Sequence, residues 1–285
     1  MYWTNYHNHC HYCDGKASVK EHVMAAIDQQ VASLGFTCHC PVPFQNQWSM
    51  PTGQIQAYLD EIDEARRMFA DRIEIYKSLE IDYIPNIIAP NDRLIQAAGL
   101  DYTLGSVHFV GSFHDGTPWE IDGPHQQFLA GLQTIYRGDI RHVISEYFRL
   151  TRQMVREACP DVIGHLDKIK MQNRGLWDEN ADWYHKAWYH TLEEIKNSGA
   201  IVEVNTRGIY KKLSPEPYPG RAILHEMKKM GIPVQINSDA HRPEEITGRF
   251  SEVCELLLSI GIEKVKVLHK SEWISADLDK NGLKM

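Results

Sequence analysis

The sequence predicts an α/β protein, a parallel β/α barrel with a polynuclear metal site at the C-terminal mouth of its strands. Short apolar runs typical of buried strands alternate with amphipathic helical patterns along the 285 residues. Histidines and carboxylates follow these runs. Near the two ends of the chain, His7-Asn8-His9 and Asp239-Ala240-His241 each put two possible ligands on one strand face, because alternate strand residues point the same way.

Strands are predicted where short apolar runs are bounded by turn residues or charges. They are 3–9, 34–39, 73–81, 102–109, 161–169, 200–206 and 234–238. Helices are predicted between and after them, at 19–33, around 55–65, and at 92–98, 140–159, 182–197, 221–230 and 250–259. The first helix follows Ser18-Val19-Lys20-Glu21, which has the form of a capping box.

Two connections are long. The segment 40–53 contains proline and glutamine, and 110–136 is rich in glycine, proline and polar residues. We expect the second to be an irregular lid or substrate loop, because long connections in compact domains commonly serve such functions.

Alternating strands and helices form either an open doubly wound sheet or a closed barrel, and the polar residues favour the barrel. An open sheet collects its site at one switch point, whereas a barrel brings every strand end to one mouth. Polar candidates occur at or just after seven successive strands: His9, His39, Glu80, His108, His165, Arg207 and Asp239 with His241. The residues alone therefore predict seven or eight strands around a shared site.

Composition narrows the class of protein. With 43% hydrophobic residues, the chain can bury one core, and we expect a single domain over 1–285. The net charge of -8 and the absence of a basic run argue against nucleic acid as a partner. No apolar run is long enough to span a bilayer and no signal pattern is present, so we expect a cytoplasmic protein without membrane contact. The oligomeric state stays open.

The six cysteines suggest a second metal hypothesis, which the spacing disfavours. Closed thiolate zinc sites usually use two Cys-x-x-Cys pairs. Here Cys10 and Cys13 have that spacing, but Cys38 and Cys40 flank His39. We expect reduced, mostly buried thiols instead.

Most of the 15 histidines are expected to be surface or hydrogen-bonded core residues. The pairs His7 with His9 and Asp239 with His241 are favoured as ligands because both members of each pair fall on one face of a strand end. His39, His108 and His165 follow strand-like stretches, and Glu80 could bridge two cations, as two-metal sites require. Asp14, which precedes a glycine, could be a ligand or a turn residue, and His11 is undecided.

These motifs resemble the PHP (polymerase and histidinol phosphatase) superfamily, and within it the branch of monofunctional histidinol-phosphatases. The resemblance runs from His7 to His241. The pieces that carry it are His7-Asn8-His9, Cys13-Asp14-Gly15, Thr37-Cys38-His39-Cys40-Pro41, Leu79-Glu80-Ile81-Asp82, Gly105-Ser106-Val107-His108-Phe109, Trp119-Glu120-Ile121-Asp122, Gly164-His165-Leu166-Asp167, Glu203-Val204-Asn205-Thr206-Arg207 and Ser238-Asp239-Ala240-His241. The pieces around His108, Trp119 and Arg207 favour the phosphatase branch.

The resemblance implies a distorted (β/α)7 TIM-like barrel with two to three divalent transition metals, zinc, manganese or iron. It implies a first metal on His7, His9, Glu80 and Asp239, a second on Glu80, His108 and His165, and a third on Asp14, His39 and His241. The family usually has an acidic residue at the position of Cys38. The loop before Asp14 is one residue shorter than in many relatives, so His11 competes with Asp14.

The function implied is hydrolysis of a small phosphorylated substrate, L-histidinol phosphate, to L-histidinol and phosphate, a step of histidine biosynthesis. Arg207 can bind phosphate oxygens in a bidentate manner, and Lys170 is a second candidate, with Lys168 as its competitor. The leaving alcohol needs a proton, which a metal-bound water, Asp239 or His241 could supply. The alternatives are another phosphate ester, an amidohydrolase-type metal hydrolase, or a catalytically silent metal-binding domain. Glu80 and the Asp239-x-His241 pair favour phosphoester hydrolysis, and every expected ligand position is filled.

Overall fold

A computed structural model describes residues 2–284. Its strands are β1 (Trp3–Asn5), β2 (Val31–Phe36), β3 (Glu74–Lys77), β4 (Glu80–Asp82), β5 (Leu104–Ser106), β6 (Phe109–Ser112), β7 (Pro118–Glu120), β8 (Val162–Ile163), β9 (Ile201–Asn205), β10 (Val234–Asn237), β11 (Lys264–His269), β12 (Glu272–Asp279) and β13 (Gly282–Lys284). Its α-helices are α1 (Val19–Asp28), α2 (Ile55–Met68), α3 (Arg93–Ala97), α4 (His125–Tyr136), α5 (Ile140–Ala158), α6 (Asp182–Ser198), α7 (Arg207–Tyr210), α8 (Arg221–Met230) and α9 (Phe250–Ser259).

The predicted parallel α/β arrangement is confirmed, but the parallel strands fall into two sheets. One has the order β1-β2-β3 and the other β10-β9-β8-β5-β4, all paired in parallel. Single parallel bridges, Asn8 to Ala240 and His39 to Glu80, connect the two sheets just beyond the strands. Within residues 2–284, continuous strand pairing does not join the sheets into the closed barrel that the sequence predicts.

The helices that cover the sheets bury apolar faces, as their sequences require. In α5, the side chains of Val143, Tyr147, Leu150 and Met154 recur at helical spacing and are buried. A large apolar core contains residues from α5, α6, α8 and α9 together with β8, β9 and β10. A second core lies between α1, α2 and the sheet β1-β2-β3. The strands therefore have packed supports, which fix the positions of the residues that follow them.

The first helix begins as predicted and ends earlier. The side chain of Ser18 accepts from the backbone N–H of Glu21, and the Glu21 carboxylate accepts from the backbone of Ser18, which is a capping box. The helix stops at Asp28 rather than 33, because Gln30 adopts a left-handed conformation with φ 61°. Residues from Val31 then pair with β1 as a strand. No glycine or proline marks this end in the sequence.

Two further predictions about the elements are wrong. The segment 110–136 is an antiparallel hairpin of β6 and β7 followed by helix α4, rather than an irregular loop. The segment is polar overall, so its composition did not indicate the apolar side of α4, where Phe128 and Leu132 pack into the core. The strand predicted over 161–169 is only β8, because residues from Lys168 to Gln172 form a 3₁₀-helix.

The C-terminal residues form an antiparallel sheet, β11-β12-β13, that the sequence did not predict. It packs against the residue that follows β1, where the Tyr6 hydroxyl donates to the carbonyl of Leu268 at 3.0 Å. In the part of the chain that the structure describes, no helix combines the length and apolar character needed to cross a membrane.

Candidate metal centre

Imidazole and carboxylate groups from distant segments meet beyond the ends of the parallel strands. His7 and His9 follow β1, His39 follows β2, His108 follows β5, His165 follows β8, and Asp239 and His241 follow β10. Glu80 lies at the break between β3 and β4. The side chains of these residues are almost fully buried. All of them except His165, together with Asp14, form three groups; within each group the possible ligand atoms lie within 4.8 Å of one another.

The first group consists of His7, His9 and Asp239. The Nε2 atoms of His7 and His9 are 3.1 Å apart, and Asp239 Oδ1 lies 3.3 Å from His9 Nε2 and 3.8 Å from His7 Nε2. Asp239 has φ 54°, in the left-handed region that non-glycine residues seldom adopt. The surrounding structure therefore holds the backbone of Asp239 in a conformation that is unfavourable for a non-glycine residue.

Glu80 lies at the centre of the second group, with His39 and His108. Its Oε2 is 3.0 Å from His39 Nδ1, and its Oε1 is 3.4 Å from His108 Nε2. His165 Nε2 lies 2.8 Å from the same Oε1. The carboxylate also approaches His7, at 3.2 Å, so it lies between the first and second groups.

The third group consists of His9, Asp14, His39 and His241. Asp14 Oδ2 is 3.0 Å from His241 Nε2, while its Oδ1 is 3.8 Å from His39 Nε2. Between the two candidates that the sequence left open, the geometry favours Asp14. The ring of His11 is 46% exposed and pairs with Glu61 at 3.5 Å, away from these groups.

Buried carboxylates behind the cluster orient two of its histidines. Glu203 Oε1 is 2.6 Å from His7 Nδ1, and Asp82 Oδ1 is 2.9 Å from His108 Nδ1. In each case a carboxylate that accepts from Nδ1–H would leave the lone pair of Nε2 to a cation bound in the cluster, with the ring neutral. Both residues lie within motifs that resemble those of the family, but the sequence does not indicate their role.

The charges of the cluster are strongly coupled. Burial alone would raise the pKa of the Glu80 carboxyl, but His7, His39 and His108 outweigh burial and hold that pKa well below its usual range. Burial would lower the pKa of His39, yet Glu80 and Asp14 raise it to about 9. Glu80 therefore stays ionised, because the nearby imidazoles stabilise the negative charge of its carboxylate.

This set of donors fits divalent transition metals. Imidazole nitrogens and carboxylate oxygens are the ligands that zinc, manganese and iron share. Asp14 Oδ1 is buried and has no hydrogen-bond partner among residues 2–284, as expected of an atom positioned for a cation. Cys38 belongs to none of the three groups, and its Sγ lies 3.4 Å from Cys10 Sγ.

A cavity of about 210 Å³ opens beside the cluster. Its lining includes ligand candidates, cations, further carboxylates and apolar groups: Asp14, His39, Trp48, Glu120, Asp122, Lys168, Met171, Arg207, Leu213, Tyr218, Asp239 and His241. Binding pockets for drug-sized molecules are commonly about 300–1,000 Å³, so this cavity suits a small ligand.

Arg207 lines the cavity at the start of α7, just after β9. Its Nη1 donates to the carbonyl of Asp239 at 2.8 Å and lies 2.9 Å from His241 Nδ1. Within residues 2–284, no hydrogen bond uses Nη2. The guanidinium is thus fixed against the cluster through one nitrogen and keeps donors for a ligand.

Lys168, rather than Lys170, reaches the cavity. Lys170 Nζ is buried and bonded to Asp167 at 2.9 Å and to the carbonyl of Pro217 at 2.7 Å. Lys168 Nζ lies 2.8 Å from Asp122 within the cavity lining. The 3₁₀-helix after β8 explains why the expected position of Lys170 was wrong, since a continued strand would have pointed both lysines to one face.

The fold and site define a class of protein, a metal-dependent hydrolase with ligands gathered from parallel strand ends. A family model, the PHP domain, matches residues 5–207. The chain belongs to the PHP domain family.

Individual relatives agree with this assignment. A Deinococcus radiodurans protein named "Probable histidinol-phosphatase" is 28% identical over 253 residues, covering 88% of this chain and 90% of the relative. The HisK protein of Listeria monocytogenes has a similar fold, with a TM-score of 0.77 and 19% identity, over 88% of this chain and 100% of that one. The histidinol phosphate phosphatase of Lactococcus lactis, solved with zinc, L-histidinol and phosphate, has a TM-score of 0.72 and 18% identity, over 99% of each chain.

Proposed function

We propose that the protein is a metal-dependent phosphomonoesterase that hydrolyses L-histidinol phosphate to L-histidinol and phosphate. The observation that carries the proposal is the composition of one small cavity, where Arg207 and Lys168 face the same space as the ligand candidates Asp14, His39 and Asp239. Anion-binding groups beside a divalent metal cluster suit a phosphoryl group. The names of the relatives support L-histidinol phosphate as the ester.

The proposed enzyme binds two to three divalent metals. His7, His9, Glu80 and Asp239 would hold the first, and Glu80, His108 and His165 the second. Asp14, His39 and His241 would hold the third. The grouping of His39 with Glu80 and His108, and of His9 with Asp14, supports ligands that lie between neighbouring cations.

Bound cations would neutralise charge on the phosphoryl oxygens and make water acidic enough to attack phosphorus near neutral pH. Arg207 would bind the phosphoryl oxygens through the donors of its guanidinium that face the cavity. Lys168, instead of Lys170, would be the second cation that binds the phosphoryl group. For Asp239 and His241 we propose a catalytic role in delivering the proton to the leaving alcohol. Burial, His9 and Arg207 lower the pKa of His241 to about 4, so in the absence of metal its ring is neutral near pH 7.

The architecture proposed for this enzyme is a distorted (β/α)7 TIM-like barrel. The two bridges, Asn8 with Ala240 and His39 with Glu80, support it because they connect the two parallel sheets on both sides. If β3 and β4 count as one interrupted strand, the order becomes β1, β2, β3/β4, β5, β8, β9 and β10, back to β1. We propose a single domain over 1–285 and a cytoplasmic enzyme.

A panel of phosphomonoesters tests the proposal. Protein reconstituted with zinc, manganese or iron should release phosphate from L-histidinol phosphate with a higher kcat/KM than from glycerol phosphate, sugar phosphates or nucleotides. If the protein hydrolysed other esters and not L-histidinol phosphate, the phosphatase activity would stand and L-histidinol phosphate would be rejected as its substrate. Absence of phosphate release from every ester, by protein carrying its metals, would reject both.

A further inference from the structure

Three cysteine thiols lie together beside the metal centre, and the proposed reaction does not use them. Cys10 and Cys38 are fully buried, and their Sγ atoms are 3.4 Å apart. The backbone N–H of Cys10 also donates to Cys38 Sγ at 3.3 Å. Cys13 is only partly buried, and its Sγ lies 3.6 Å from the carbonyl oxygen of Cys10. The buried pair, whose thiols are both free, therefore lies close below the surface.

The fold brings Cys10 and Cys38 together from segments that lie 28 residues apart in the sequence. Cys10 belongs to the loop after β1, and Cys38 follows β2, the parallel neighbour of β1. The backbone N–H of Thr37 donates to the carbonyl of Asn8 at 2.9 Å, which continues the contact between these segments up to the thiols. The register of the two strands thus holds the sulfur atoms against each other.

A contact of this length can be converted into a disulfide bond. The bond requires about 2.05 Å between the sulfur atoms, so Cys10 Sγ and Cys38 Sγ must approach by about 1.4 Å. Hydrogen peroxide, a small oxidant, converts one thiol to a sulfenic acid and releases one water. The second sulfur then attacks the first, the S–O bond breaks, and the hydroxyl leaves with the second thiol proton as another water. Two thiols and one peroxide thus give one disulfide and two waters.

Such a bond would act on the third group of ligand candidates. Cys10 directly follows His9, Cys38 directly precedes His39, and both histidines belong to that group. Because the two cysteines are packed in an apolar core, their backbone must share the movement of the sulfur atoms. Metal sites tolerate deviations of only about 0.2 Å in the distances to their ligands. A disulfide between the two cysteines therefore weakens metal binding by the third group.

We propose that Cys10 and Cys38 are a peroxide-sensitive thiol pair, whose oxidation to a disulfide releases metal from the third group. A dithiol such as dithiothreitol reverses the reaction by thiol–disulfide exchange and becomes a disulfide itself. Formation of the bond is independent of the proposed phosphatase function. The effect on metal rests on the proposed metal centre.

Peptide mapping tests the bond directly. Zinc-loaded protein is treated with hydrogen peroxide, its remaining thiols are blocked, and it is digested with trypsin without reduction. Cleavage after lysine and arginine leaves Cys10 in a peptide of residues 1–16 and Cys38 in a peptide of residues 21–66. We expect the two peptides to be joined, with tandem mass spectrometry placing the bond between Cys10 and Cys38. Dithiothreitol should separate them.

The test uses two variants of the pair and one control. Cys38→Ser and Cys10→Ser should each lose the joined peptides. Cys159→Ser is the matched control because Cys159 is an exposed thiol at the end of α5, and it should keep them. Absence of the joined peptides from the parent would overturn the inference. A bond from Cys38 to Cys13 or Cys40 would overturn it too.

Bound zinc, measured by elemental analysis on the same samples, tests the consequence. Peroxide should lower it by about one equivalent in the parent and in Cys159→Ser, because one group of ligands is displaced. Cys38→Ser should keep its zinc. An equal loss of zinc in Cys38→Ser, or a disulfide formed without loss of zinc, would overturn the link to the metal site. A protein that hydrolyses no phosphate ester would reject the proposed function and leave both measurements valid.

Discussion

Replacing Glu203 by Gln removes the charge of a buried side chain and one of its two acceptor atoms while keeping its size. Glu203 accepts four hydrogen bonds. Oε1 receives His7 Nδ1 at 2.6 Å and Asn237 Nδ2 at 3.0 Å, and Oε2 receives the backbone N–H of His165 at 2.8 Å and Asn205 Nδ2 at 2.9 Å. All acceptor positions of the carboxylate are therefore used.

In Glu203→Gln, the new amide nitrogen must face either His7 Nδ1 or the backbone N–H of His165. The two asparagines can rotate to offer an oxygen, but a backbone N–H cannot. Either His165 keeps an unsatisfied buried donor, or His7 shifts its proton to Nε2, which points at the cluster. An unsatisfied buried donor costs about 1–3 kcal/mol of the unfolding free energy. Loss of a carboxylate that orients a ligand histidine commonly lowers metal affinity about 10- to 100-fold.

Two measurements check this prediction. Urea unfolding of the metal-free proteins reports the stability loss, and competition with a chromophoric chelator reports metal affinity. Glu272→Gln is the control, since Glu272 is exposed on β12. We expect the control to match the parent in both measurements. If Glu203→Gln kept both the parental stability and the parental metal affinity, the argument that Glu203 orients His7 would be refuted.

Three further predictions follow from single contacts. Arg207→Ala should lower kcat/KM for L-histidinol phosphate about 10- to 100-fold, because a charge-assisted contact contributes roughly 1.5–3 kcal/mol. In the same assay, Arg207→Lys should recover only part of the lost kcat/KM. Cys38→Ser should retain the metal equivalents of the parent by elemental analysis, because the thiol lies outside the ligand groups; metal loss with an intact fold would make it a ligand. Burial would raise the pKa of Asp122, but Lys168 lowers it from 3.8 to about 2, so its stabilisation is present above pH 4 and lost below. The difference in unfolding free energy between the parent and Asp122→Asn should therefore shrink as the pH falls from 5 to 3, and a constant difference would contradict the ion pair.

The placement of histidines and carboxylates at strand ends was predictable because strand periodicity is local. His7 with His9 shows this, since an i, i+2 pair needs no knowledge of distant contacts to share a face. Some bounds also agree, as in α9, which was predicted at 250–259 and is Phe250–Ser259. The sequence could equally place Arg207 just beyond the end of β9.

Features that depend on tertiary contacts escaped prediction. Glu203 lies inside β9, and only the fold shows that its carboxylate meets His7, a residue 196 positions away. Lys168, the competitor that the sequence offered, lines the cavity in place of Lys170 because a 3₁₀-helix follows β8, and no local signal distinguishes that turn from a continued strand. The C-terminal sheet was not predicted, although Lys264-Val265-Lys266-Val267 alternates polar and apolar residues as a half-buried strand does.

Metal-dependent hydrolysis of L-histidinol phosphate is the central claim, and a metal titration tests it most directly. Protein stripped with a chelator is supplied with zinc or manganese in steps, and phosphate release and bound metal are measured on the same samples. We predict negligible release without metal, and a rate that rises with bound metal and reaches its plateau at two to three equivalents per chain. A chelated protein that hydrolysed the ester at the full rate, or a rate that stayed near zero with three equivalents bound, would contradict the account.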